Sequence, residues 1–182
     1  MSTLAKARFA QIVLPRMDEA YRLARWLTGS ATDAEDIIQE ASLRAYRHIE
    51  HFAEGNARAW FLTIVRNAAY SWLRKNRPDT VSFLADLDGP ALASLEAGHA
   101  LSEVPATPED VLIAKGEAQR LQTAIAALPV HFREAIVLRE YHGLSYRDIA
   151  EVTSVPIGTV MSRLANARKH LARWMKEDSR GA

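Results

Sequence analysis

With 182 residues, 48% of them hydrophobic and 25% charged, the chain can bury one large core or two small ones and is too apolar to be disordered. The absence of cysteine excludes disulfides, thiolate metal sites and cysteine nucleophiles. No apolar run approaches the roughly 20 residues of a membrane helix, and the first ten residues lack the apolar stretch of a secretory signal, so a cytoplasmic location is expected.

Net charge is only +1, but the charges are segregated along the chain. From Asn56 to Pro78 there are Arg58, Arg66, Arg74, Lys75 and Arg77 with no acid. From Asp79 to Pro108 there are Asp79, Asp86, Asp88, Glu96 and Glu103 with no Lys or Arg. From Pro156 to Lys176 the pattern is again purely basic, with Arg163, Arg168, Lys169, Arg173 and Lys176.

In chain order, Met17, Ala20, Tyr21, Ala24 and Leu27 recur at helical spacing and predict a first helix from about Arg16 to Thr28, closed by Gly29. Thr32 and Glu35 read as a capping box for the next helix, whose buried side is Ile37, Ile38, Ala41, Ala45 and Ile49. Asn56 is placed to cap a third helix that runs to about Arg77 and stops before Pro78. The stretch from Pro78 to Pro108 has no sustained period and reads as a flexible acidic linker.

Thr107-Pro108-Glu109-Asp110 is a helix start, and Val111, Ala114, Ala118, Leu121, Ile125 and Leu128 form the expected core stripe of that helix. A short helix with Phe132, Ile136 and Leu138 ends at Gly143, Ser145 and Asp148 cap the next helix, and a last helix runs from near Pro156 to about Lys176. With no β-alternation, the predicted fold is all-α: two small helical domains, the second a helix-turn-helix.

On that last helix, Ile157, Val160, Met161, Leu164, Ala167, Leu171 and Met175 are expected to face the core. The opposite side collects Thr159, Ser162, Arg163, Asn166, Lys169, His170 and Arg173, the groups with which a helix reads base edges and holds phosphates in a major groove. On the Asn56–Arg77 helix, Thr63, Arg66, Asn67, Tyr70, Arg74 and Arg77 share an arc, with Trp60 at its edge. An aromatic ring among cations suits unstacked bases, which stack on the ring while the cations hold the backbone. His48 and His51 have no evident third metal ligand, no carboxylate pair resembles an acid–base dyad and there is no glycine-rich phosphate loop, so neither a catalytic centre, a metal nor a cofactor is expected.

Three blocks, DAEDIIQEASLRAYRHIEHF (33–52), NARAWFLTIVRNAAYSWLR (56–74) and LPVHFREAIVLREYHGLSYRDIAEVTSVPIGTVMSRLANAR (128–168), resemble the extracytoplasmic-function group of bacterial sigma factors, in the sigma-70 superfamily. The resemblance implies a sigma region 2 domain over 9–78, an acidic linker over 79–107 that threads toward the polymerase active-site cleft, and a sigma region 4 domain over 108–176. It assigns Asp36, Gln39 and Glu40 to the clamp of the core polymerase. It assigns Asn56, Arg58, Trp60, Arg66, Asn67, Tyr70 and Arg74 to the downstream promoter element, with a base flipped into the 53–58 loop. Thr159, Ser162, Arg163, Asn166, Lys169 and Arg173 would read the upstream element.

The implied function is transcription initiation at a two-element promoter of stress or envelope-response genes, without catalytic activity of its own. The implied partners are core RNA polymerase, promoter DNA and an anti-sigma factor. A stand-alone helix-turn-helix regulator is the alternative. Two positions depart from the family pattern: Ala53 stands where a basic residue is frequent, and Asn166 where a cation is common.

Overall fold

The computed structural model describes residues 3–52, 55–78, 80 and 108–178, with the backbone alone for Thr3, 108–115 and Asp178. All regular structure among the described residues is helical. The expected linker and Thr107, the expected helix cap, lie almost wholly outside them.

The N-terminal bundle is built from α1 (Thr3–Ile12), α2 (Met17–Thr28), α3 (Ala31–His48) and α4 (Ala57–Asn76), with α2, α3 and α4 mutually packed. α1 was not expected from the sequence; Pro15 sits in a single tight turn, Leu14–Arg16, that joins it to α2. Ala5 is buried, and Phe9 meets Tyr46 of α3 edge to face with ring centres 5.3 Å apart. α2 ends where Gly29 takes φ 74°, a left-handed conformation that costs a glycine no Cβ clash.

The cap of α3 differs from the expectation. Ser30, not Thr32, is the capping residue, and its side chain accepts the amide N–H of Asp33 at 3.3 Å. The helix therefore begins at Ala31, about two residues earlier than the Thr32/Glu35 pairing requires. The expected core face of α3 is present: Ile37, Ile38, Ala41, Ala45 and Ile49 are all buried. Asn56 caps α4 as expected, its Oδ1 accepting the amide of Ala59 at 3.0 Å.

The C-terminal bundle comprises α5 (Pro108–Ala127), α6 (Val130–Ile136), which runs on into a wider π-helical turn (Val137–Tyr141), then α7 (Tyr146–Thr153) and α8 (Ile157–Asp178). Among the described side chains toward the end of α5, Ala124 and Ile125, with Leu128 just beyond, are buried, whereas Ala118 is exposed and Leu121 is 40% exposed; Val111 and Ala114 of the expected stripe lie outside the described side chains. Two described members of the expected stripe, Ala118 and Leu121, are thus not covered. Ser145 and Asp148 form the expected capping box, each side chain accepting the other residue's backbone N–H. The turn between α7 and α8 passes through Ser154 at φ 57°, the one non-glycine residue with positive φ among those described.

The two bundles do not stand apart. α4 packs on α7 and α2 on α6, so that one continuous apolar cluster runs from Phe61, Leu62 and Val65 to Phe132, Leu138 and Ile149.

Candidate nucleic-acid interface

α4 carries its cations because its sequence alternates an apolar inner face with Arg66, Asn67, Arg74 and Lys75, and nothing acidic intervenes to neutralise them locally. Arg66 is neutralised from the other bundle. Arg66 donates from Nε to Oε1 of Glu134 on α6 at 2.9 Å, and the Tyr70 hydroxyl donates to Oε2 of the same carboxylate at 3.0 Å. The Glu134 side chain has 0% exposure. The Arg66 guanidinium also lies over the Tyr70 ring, 4.1 Å from its centre. Burial works against the charge of Arg66, but Glu134 and Tyr70 outweigh it, so its pKa is raised. Burial, reinforced by the adjacent carboxylate, pushes the Tyr70 phenol well above its ordinary value.

A second polar knot lies at the start of α4. Arg58 grips Glu19 of α2, with Nε 2.9 Å from Oε1 and 3.1 Å from Oε2, and its Nη2 reaches across to the carbonyl oxygen of His142. His142 Nδ1 is itself 3.3 Å from Glu19, and its Nε2 is buried with no hydrogen-bond partner. Burial alone would raise the Glu19 pKa, but hydrogen bonds to His142 and Arg58 prevail and hold it at about 2.

Beside this knot, Asn56 Nδ2 donates to Asp148 Oδ1 at 2.8 Å, and the Ser145 hydroxyl holds the Asp148 pKa below its usual value. On the far side, Arg133 Nη1 donates to the Trp26 carbonyl at 3.1 Å, and Trp26 and Tyr141 rings lie 5.2 Å apart. A cavity of about 500 Å³ opens at the start of α4, lined by His51, Phe52, Asn56, Trp60 and Thr63 from one bundle and Glu151 from the other. Trp60 forms one wall, its ring 4.7 Å from that of Phe52.

α7 and α8 have the short-helix, tight-turn, long-helix geometry of a helix-turn-helix, and Lys169 and Arg173 on α8 are exposed cations. The family model described as Sigma-70 region 2 matches residues 13–78, and Sigma-70 region 4 matches residues 118–171. The chain is 36% identical to the ECF RNA polymerase sigma-E factor of Escherichia coli (strain K12) over 75% of this chain and 71% of that one. It is 31% identical to the ECF RNA polymerase sigma factor SigW of Bacillus subtilis (strain 168), over 93% and 89%. The chain belongs to the extracytoplasmic-function group of RNA polymerase sigma factors.

Among solved structures, the sigma factor RpoE of Bartonella quintana in complex with the anti-sigma factor NepR is similar at TM-score 0.66 and 30% identity, over 92% of this chain and 96% of that one. CnrH in complex with the cytosolic domain of CnrY is similar in fold, at TM-score 0.64 and 22% identity, over 93% and 88%.

Within this sigma factor, the sequence-predicted residues fall into three places. Asp36, Gln39 and Glu40 are exposed on one outward strip of α3, with Glu40 ion-paired to Arg44 a turn later. Asn56, Arg58, Arg66 and Tyr70 are brought together in the seam between the bundles, whereas Asn67 and Arg74 stay exposed on α4 and Trp60 is half-buried at the cavity. Tyr70, expected on an open face, is only 5% exposed because Glu134 and the bundle behind it cover the ring.

The faces of α8 also differ from the expectation. Val160, Leu164 and Ala167 are buried as expected, but Ile157 and Met161 are each 46% exposed. The buried face is centred on Val160, Leu164 and Ala167, so the exposed face includes Met161, Lys169 and Arg173, while Thr159, Ser162, Ala165 and Asn166 are half-buried. Arg163 is half-buried, and its charge lies close enough to Tyr70 to favour the charged form of the phenol. The cause is packing: α5, α6 and α7 meet α8, and the exposed apolar residues at its first turn fall beyond their reach.

Sequence reasoning missed Glu19, Arg133, Glu134 and His142 altogether. Glu134 carried a signal, since it is a lone acid between Phe132 and the run Ala135, Ile136, Val137, Leu138, all of which are buried. A carboxylate in such a place requires a donor from elsewhere in the fold.

Proposed function

We propose that this sigma factor binds core RNA polymerase, brings it to promoters with two recognition elements, assists their melting and starts transcription of stress or envelope-response genes. The reading is carried by two cationic helical surfaces, α4 and α8, placed one in each of the two matched sigma regions. Residues 9–78 serve the downstream element and the polymerase, 79–107 act as the connecting strap, and 108–176 take the upstream element as duplex.

α4 suits a melted strand because Arg66, Asn67 and Arg74 can hold phosphates while Trp60 and Tyr70 offer rings to unstacked bases. The cavity beside Trp60 is large enough for an extruded base, whose unstacking costs a few kcal/mol and needs such a receptacle. On α8, Thr159, Ser162 and Asn166 lie toward the groove floor, Lys169 and Arg173 toward phosphates, and Arg163 reaches DNA after leaving the seam.

The α3 strip of Asp36, Gln39 and Glu40 is the proposed polymerase contact. Leu43, one turn on, is exposed on the same side, so an apolar anchor is flanked by acids. An anti-sigma factor is a further proposed partner, and a sigma factor 30% identical to this one has been solved with one.

Reconstitution tests the reading. Purified core polymerase plus the chain is expected to form a stable complex and make promoter-specific transcripts from genomic DNA, and charge reversal at Asp36 and Glu40 together is expected to weaken that complex at least tenfold. A chain that binds promoter-sized DNA but neither joins core polymerase nor directs transcription would refute it.

A further inference from the structure

The acids that meet α4 from the C-terminal bundle are arranged like a substitute for nucleic acid. Glu134 offers its two oxygens to Arg66 Nε and the Tyr70 hydroxyl at 2.9 and 3.0 Å, the same pair of donors that a backbone phosphate would engage. Asp148 takes the side-chain amide of Asn56 at 2.8 Å, and Glu151 stands in the wall of the cavity beside Trp60. Glu134 thus pairs with one cation of α4, Asp148 lies near a second, Arg58, and Glu151 borders the cavity. The confrontation extends into the interior, since Glu134 has 0% exposure and one apolar cluster that includes Val65, Phe132 and Ile149 crosses the seam.

A strand on α4 and the closed seam cannot coexist. Arg66 and Tyr70 have one set of donors, and the Tyr70 ring is 5% exposed. Separation frees all of them together, and it exposes a carboxylate that water then solvates. The interaction is reversible for a physical reason: a buried carboxylate and guanidinium gain little beyond their lost hydration, so competition by a polymerase that binds the two bundles apart can tip the balance.

We propose that Glu134, supported by Asp148 and Glu151, is a built-in phosphate mimic that keeps the downstream-element surface of the free chain shut against its own C-terminal bundle. The proposal rests on the reading of α4 as the strand-binding surface. It makes the free factor a poor binder of single strands without any second protein, because affinity is reduced by the fraction of molecules that are open. Binding to polymerase, which draws the bundles apart, then supplies strand affinity at the site where a melted strand forms.

The chain has no cysteine, so Arg22→Cys and Ala172→Cys, both at exposed positions in different bundles, can carry a donor and an acceptor dye. In this labelled full-length background, Glu134→Gln is expected to lower energy transfer. It is also expected to raise affinity for a random-sequence single-stranded oligodeoxynucleotide of about 20 nucleotides by about tenfold or more, without polymerase. Should that variant fail to fold by circular dichroism, Tyr141→Ser, which removes the ring packed on Trp26 of α2, weakens the seam without touching the donors of α4, and the same two changes are expected. Unchanged transfer and unchanged affinity in a folded variant overturn the lock while leaving the α4 reading to transcription with core polymerase. Opening without any gain in strand affinity overturns the proposal through its premise, because α4 then holds no strand.

Discussion

Glu19 shows how a single carboxylate can be read for pH dependence. Burial raises its pKa, yet His142 and Arg58 hold it at about 2, below the ordinary 4.5. The folded chain therefore binds the carboxylate form more tightly than the unfolded chain does, and the resulting stability is fully present above pH 4.5 and is lost as pH falls toward 2. Glu19→Gln is expected to cost about 1–2 kcal/mol at pH 7, since it weakens charge-assisted hydrogen bonds in a partly solvated site. Urea titrations at a series of pH values check this: the gap between the two proteins closes from pH 5 downward. A gap that stays constant to pH 2 would mean that Glu19 is not held ionised by these partners.

The same residue scale explains what could be read beforehand. Asn56 and the Ser145/Asp148 pair were legible as caps because capping chemistry is local, involving side chains within three residues of the amides they satisfy. Glu19, Glu134 and His142 were not, because their partners are remote in sequence; Arg66 and Glu134 are 68 residues apart. Ser30 was overlooked in favour of Thr32 because both are good caps, and only the backbone path after Gly29 decides between them.

At the scale of the element, α8 separates two readings of one periodicity. The apolar residues fall near one side of the helical wheel, but packing covers only the part that faces α5, α6 and α7. Leu164 is 1% exposed and Met161 46%. Leu164→Ala is thus expected to destabilise by about 2–5 kcal/mol through lost burial and a residual cavity, and Met161→Ala by less than about 0.5 kcal/mol, as for other surface changes. Chemical denaturation of the two variants measures both. A large loss at Met161 would restore the sequence-based face and return Arg163 to the outer surface. α5 carries the same lesson, since Leu121 belongs to the periodic stripe yet is exposed.

For the whole molecule, the expectation of two helical domains holds, and what the sequence could not disclose was that they pack. Segregated charge suggested surfaces kept free for DNA, and the same charges turn out to satisfy the partner bundle. Each bundle nevertheless owns a core: Leu23, Ile37 and Phe61 on one side, Leu138, Leu144, Ile149 and Leu164 on the other.

That division predicts how a defect spreads. Phe61→Ala removes a fully buried ring from the N-terminal core and is expected to cost about 3–5 kcal/mol there, more than a hundredfold in the exchange rate of α3 amides. The amides of α8 are expected to lose less than about tenfold, because the C-terminal bundle forfeits only what docking adds to a core it already has. Amide hydrogen exchange on the full chain resolves the two sets. Equal losses in both bundles would mean a single cooperative unit, one that polymerase could not draw apart without unfolding it, and neither the two-surface reading nor the Glu134 lock would survive that result.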